Sequence, residues 1–121
     1  MSHPFRAAVE AGDIEGAIAL LAPDVVFRSP VVHRPYEGAE VVAVLLRAVS
    51  EVFEDFRYVD ELASPDGGHA LIFAARVGDR DLEGIDLLYD DDGRIAHFTV
   101  MVRPLSGALA LAEAMKAKLE A

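Results

Sequence analysis

The sequence predicts an α+β fold in which helices pack on one face of a curved antiparallel sheet. Three observations carry that expectation. Apolar residues recur at helical spacing through about the first fifty positions, they switch to strict alternation after Asp55, and strong turn signals then divide the chain. At 121 residues, residues 1–121 are expected to form one domain with a core of its own.

The elements follow in order. Ser2 before Pro4 reads as the cap of a short helix that runs through Glu10 and stops at Gly12. Asp13 caps a second helix, where Ile14, Ala17, Ile18 and Leu21 recur until Pro23 ends it. Val25 to Phe27 is a short strand, and Ser29 to Gly38, with two prolines, is a loop. From Gly38 to Glu54 the stripe Val42, Leu45, Leu46, Val49 and Phe53 predicts a long helix. Beyond it Phe56, Tyr58 and Leu62 face one way and Arg57, Val59 and Glu61 the other. Pro65 to Gly68 is a turn, His69 to Val77 a strand, Gly78 to Asp81 a hairpin turn, and Leu82 to Tyr89 the returning strand. Asp90 to Gly93 turns the chain into Ile95 to Val102. After Pro104, Ser106 caps a final helix with Leu105, Leu109, Ala112, Met115 and Leu119 on one side.

Composition excludes several function classes. There is no cysteine, hence no disulfide and no thiolate metal site, as suits a cytoplasmic protein. A formal net charge of −10 opposes phosphate backbones and anionic membranes, and no apolar run reaches spanning length, so neither nucleic acid nor membrane is an expected partner. The four histidines show no ligand-like pair spacing, so no metal is expected: His3 reads as a frayed terminus and His69 as structural or exposed. Asp90-Asp91-Asp92-Gly93 lacks the alternating ligands and flanking helices of a calcium loop. Ser29 has no nucleophile-elbow context. Tyr36, Tyr58 and Tyr89 are the only phenols, and each is expected to be partly buried with its oxygen in water.

One residue stands against its surroundings. Asp86 is a carboxylate inside the apolar run Gly84 to Tyr89. Such a group either marks a ligand pocket or sits at a sheet edge, hydrogen-bonded to backbone. On the pocket side, Gly84 would leave space beside it and burial would raise its pKa. His33, in Val31-Val32-His33-Arg34-Pro35, has the chemistry for acid–base work near neutrality, although a lone loop histidine is more often exposed. His97, Thr99, Met101 and Arg103 alternate away from Phe98 and Val100. This leaves an amphipathic outer face suited to a homodimer.

The helix pair, Ala22-Pro23-Asp24-Val25-Val26-Phe27, Ser29-Pro30, the Tyr36-Glu37-Gly38 lead into a long helix, and the strands bearing Ile85-Asp86 and Gly93-Arg94-Ile95 resemble the nuclear transport factor 2-like (NTF2-like) superfamily, within it the SnoaL-like group. The resemblance covers nearly the whole chain. It implies a cone-shaped fold with a pocket for a small hydrophobic molecule between the concave sheet face and the helices. It also implies a lining of Phe27, Tyr36, Leu46, Phe53, Leu71, Phe73, Leu88, Phe98 and Val100.

In ketosteroid isomerases of this superfamily a protonated strand aspartate, kept neutral by its apolar site, donates to a developing oxyanion. Asp86 matches that position. The isomerase base does not carry over, because Ser29 stands before Pro30 and its hydroxyl abstracts no proton near neutrality without a partner base. The first-helix tyrosine has no match either, so ketosteroid isomerisation is not expected. Asp79-Arg80-Asp81 falls in a turn, which counts against epoxide hydrolysis. Two classes remain open. One is a cofactor-free isomerase, cyclase or dehydratase with Asp86 as acid and His33 assisting. The other is a non-catalytic ligand-binding or assembly module.

Overall fold

The structure, a computed structural model, describes residues 2–120. Four helices and six strands follow one another as α1 (Pro4–Glu10), α2 (Ile14–Ile18), β1 (Leu21–Arg28), β2 (Tyr36–Glu37), α3 (Ala39–Val52), β3 (Glu54–Ala63), β4 (Gly68–Val77), β5 (Arg80–Asp91), β6 (Arg94–Arg103) and α4 (Leu105–Glu120). The strands form one curved, open sheet in the order β2-β1-β6-β5-β4-β3. β3 to β6 make the expected antiparallel meander, and β1 joins its far side parallel to β6.

The turns of the meander are as tight as their residues allow. Gly78 (φ 61°) and Asp79 connect β4 to β5, with Val77 opposite Arg80. Asp92 (φ 54°) and Gly93 (φ 79°) connect β5 to β6. Two successive left-handed residues match the twist of the flanking strands, which is why Asp-Gly is favoured there.

Several local expectations are corrected. The cap of α1 is His3, whose Nδ1 accepts the Phe5 amide at 3.0 Å, rather than Ser2. The second helix stops at Ile18 and does not run to Pro23. Leu20 instead accepts the Ile95 amide at 2.9 Å, and Leu21 pairs with Ile95 in the sheet. A ladder partner far along the chain outweighs local helical periodicity here. Pro23 is tolerated in β1 because the register shifts between Leu21 and Val26, where no ladder amide is required of it.

β3 carries a bulge between Tyr58 and Asp60. One extra residue reverses the alternation beyond it. Glu61 turns inward and Leu62 outward, the opposite of simple alternation. In α4, Leu105 (74% exposed) and Leu109 (60%) face outward, and Gly107 and Leu111 are buried instead. The reason is contact: a Cβ on Gly107 would lie 2.7 Å from the Cβ of Leu82, so α4 meets β5 where it has no side chain.

All four helices contribute to one apolar cluster with the inner sheet face, including Phe5, Ala17, Val42, Leu46, Phe73, Phe98 and Leu111. The outer face is covered by none of them. Ile72, Ile85, Leu87 and Thr99 are half-buried there, and Met101 is 53% exposed. Among the described residues no helix is long and apolar enough to cross a membrane.

Candidate functional site

Alternation along β5 sends Leu82, Gly84, Asp86 and Leu88 to the inner face, against helices rather than water. Asp86 is therefore buried, with 7% of its surface exposed, and its position on the concave side is settled by the register Asp86 opposite Leu71 and Val100. Gly84 does not leave open space beside it, contrary to expectation. A Cβ there would lie 2.4 Å from Cζ of Phe73 and 2.6 Å from the Met101 carbonyl oxygen, so the Phe73 ring already fills the gap.

The polar partner of Asp86 is Tyr58. Its hydroxyl donates to Asp86 Oδ2 at 2.8 Å, reaching over β4 from β3. Burial disfavours the ionised carboxylate and pushes the Asp86 pKa up to about 7, against which the Tyr58 hydrogen bond pulls downward. The Tyr58 pKa is raised as well, first by its own burial and then by the Asp86 charge. Contrary to the expectation of a wet oxygen, Tyr58 is buried and bonded. The sequence signal for it was Phe56 and Tyr58 alternating onto the inner face, but pairing it with Asp86 needs the register of three strands.

Tyr58 is held from behind. The Arg6 guanidinium lies 5.8 Å from its ring centroid, and Arg6 is itself fixed by Glu61 at 3.2 Å. Phe56 meets the Tyr58 ring edge-on at 5.0 Å.

The pair opens into a cavity of about 710 Å³ enclosed by α1, α3, α4, the inner sheet face and the Ser29–Val32 loop. All six phenylalanines of the chain line it. Of the residues the resemblance placed at a pocket, Phe27, Tyr36, Leu46, Phe53, Phe73, Phe98 and Val100 line this cavity together with Asp86. Leu71 and Leu88 do not. Both are fully buried in the cluster of the inner sheet face, so they support the wall without reaching the space. His33 is exposed and is not a lining residue, although Val31 and Val32 before it are. The loop is turned by Ser29, whose Oγ accepts the Val31 and Val32 amides at 3.2 and 2.8 Å, and His33 is carried past the rim.

His3, His69 and Asp90 are far apart in sequence yet bring one potential ligand atom each within 4.8 Å of one another. His3 is not frayed: it is buried, and its Nε2 lies 2.9 Å from Asp90 Oδ2. Because Nδ1 accepts the Phe5 amide, the neutral ring carries its proton on Nε2 and donates it to Asp90. Both ring nitrogens are thereby occupied, and His3 has no lone pair left for a cation. The trio is a clasp: the His3 amide also donates to Glu61 Oε2 at 2.8 Å, and the His69 ring meets His3 edge-on at 4.9 Å. His69 Nδ1 is buried and has no hydrogen-bond partner among the described residues.

An open sheet wrapped on one side by helices, with a single acid–phenol pair at the bottom of an apolar hollow, defines the class: a cone-shaped NTF2-like α+β domain. Residues 3–78 match the SnoaL-like domain, and the chain belongs to that family. Among solved structures it is similar to a steroid delta-isomerase from Pseudomonas aeruginosa, with 52% identity, a TM-score of 0.89, and coverage of 94% of this chain and 85% of that one. An uncharacterised protein with a cystatin-like fold from Silicibacter pomeroyi is 35% identical at a TM-score of 0.89, covering 97% and 83%. An NTF2-like protein from Burkholderia xenovorans, 21% identical at a TM-score of 0.66 over 93% and 90%, shares the fold alone. No curated protein matches the chain.

Proposed function

We propose that the protein takes a small, largely apolar and polycyclic molecule into the cavity and promotes a cofactor-free proton transfer of the isomerase or cyclase type, with Asp86 as the proton donor. The observation that carries this reading is the buried Tyr58–Asp86 pair facing a phenylalanine-lined hollow. In the protonated carboxyl, Oδ2 accepts from Tyr58, and the acid hydrogen on Oδ1 is free for a ligand oxygen. A carbonyl there gains a hydrogen bond that strengthens as negative charge develops on it, in a setting where water does not compete. A pKa of about 7 puts acid and conjugate base in comparable amounts at neutral pH, so the carboxylate form takes from carbon the proton that the acid form gives back, and the transfer balances without a second base.

The 52% identity to a steroid delta-isomerase supports including steroids among the compounds to try. Asp86 is the only carboxylate lining the cavity among the described residues, and the Ser29 hydroxyl serves its own loop. That favours a second reading, a ligand-binding module with no turnover. Androst-5-ene-3,17-dione in deuterated buffer separates the two. Conjugation of the ketone, or deuterium entry beside its carbonyl, in the wild type and its loss in Asp86→Asn support the enzyme. Saturable binding of the ketone without either change overturns it and leaves the binding module.

A further inference from the structure

The cavity has a second chemically distinct end. Its polar lining consists of Ser29, Ser50, Tyr36, Tyr58, Asp86 and Lys116. Ser50 Oγ donates to the Arg47 carbonyl at 2.7 Å, Ser29 turns its loop, and Tyr58 and Asp86 hold each other. Lys116 is the only cation in the lining among the described residues. It sits on the last turns of α4, exposed, with Leu119 and the exposed Val31 and Val32 also in the lining. Lys118, two residues on, pairs with Glu51 at 3.3 Å, whereas Lys116 enters no salt bridge among the described residues. No carboxylate of the lining offsets its charge except Asp86, which is buried at the closed end.

We infer that Lys116 selects amphipathic anions: the preferred ligand has an apolar body over the phenylalanines, a carbonyl or hydroxyl oxygen at Tyr58–Asp86, and a carboxylate at the mouth on Lys116. This inference rests on the ligand cavity proposed above. The whole protein, at −10, repels anions at long range, so discrimination in favour of one has to come from a local cation. A lysine at a water-exposed mouth suits this role, because its charged end stays hydrated while its stem lies along apolar wall.

The test uses 3-oxoandrost-4-ene-17β-carboxylic acid and its methyl ester, which share a body and an inner carbonyl and differ at the far end in charge and one methyl group. Binding is measured by calorimetry to the wild type, Lys116→Gln and Lys116→Arg. The acid should bind roughly threefold to fivefold more tightly than the ester, the modest gain of a solvent-exposed pair. Lys116→Gln should abolish that preference without changing ester binding, Lys116→Arg should retain it, and added salt should weaken the acid alone. Equal binding of acid and ester, or equal loss of both in Lys116→Gln, overturns the role of Lys116 while leaving the cavity reading intact. Binding of neither compound overturns the cavity reading, and the inference with it.

Discussion

Tyr58 and Asp86, on strands separated by β4, share a 2.8 Å hydrogen bond at the buried end of an apolar cavity. The phenol donates, so the bond favours the carboxylate, while burial favours the neutral acid and prevails. The pair's behaviour with pH is therefore directional.

Because folding raises the Asp86 pKa from 3.8 to about 7, the folded state binds more protons than the unfolded state between those values. Stability contributed by this group is full below the unfolded pKa and is lost as pH rises through the folded one. Asp86→Asn should match the wild type near pH 4 and exceed its stability at pH 8, by an amount on the order of 4 kcal/mol at most. Urea denaturation at the two pH values measures this. A constant difference between variant and wild type would place the Asp86 pKa elsewhere.

Tyr58→Phe removes the hydrogen bond that stabilises the ionised carboxylate. The Asp86 midpoint, followed by NMR of its carboxyl carbon, should move upward by about one unit, the equivalent of a hydrogen bond to a charged group. A downward movement would mean that Tyr58 chiefly shields Asp86 from water.

We propose that the uncovered outer face around Thr99, Met101 and Arg103 joins two copies into a homodimer, since Ile72, Ile85, Leu87 and Met101 leave it apolar and no helix reaches it. Arg103 already pairs with Glu83 on the neighbouring strand, so its charge reversal disturbs both that pair and the face. Met101→Asp with Arg103→Glu should shift sedimentation toward the monomer. Unchanged association would place the interface on another surface.

His3→Ala deletes a helix cap and the Asp90 clasp at once. A loss of about 1–2 kcal/mol is expected from the cap bond and the buried pairing together. Chemical denaturation at pH 7 reads it. A variant as stable as the wild type would show that the first turn of α1 is held by Pro4 and Phe5 alone.

Much of the architecture was legible because its signals are local. Gly78-Asp79, Asp92-Gly93, the α3 stripe and the alternation of β5 each depend on a few adjacent residues, whereas the face that Asp86 takes depends on its register with Leu71 and Val100. What escaped depends on partners far away in the chain. Val25 to Phe27 reads as a strand, but the start of β1 reads as the end of a helix because Leu21 follows Ile18 at helical spacing, and only pairing with Ile95 makes it strand. Glu61 and Leu62 exchanged faces through a bulge that no turn residue announces. The inward face of α4 is set by Gly107, which can approach Leu82, together with Leu111, and not by Leu105 or Leu109. In the site, the carboxylate was visible and its phenol was not, because a lone aspartate in an apolar strand is a local anomaly and a tyrosine in a strand is ordinary. His33 shows the converse: chemical aptitude near a pocket does not orient a side chain when Ser29 turns the loop away.

Six phenylalanines facing one hollow leave this small domain with little aromatic packing anywhere else. The rings that would discriminate among ligands are the same rings that hold sheet to helices, as where Phe5 and Phe27 each meet Phe98 at 5.2 Å. Trimming one to admit a bulkier guest enlarges the void and weakens the scaffold in a single step, at several kcal/mol for a full truncation to alanine. Diversification of such a domain is thus constrained at its bottom and free at its rim. New preferences are more readily acquired by exchanging exposed residues around the mouth, such as Val31 and Val32, than by reshaping the aromatic floor.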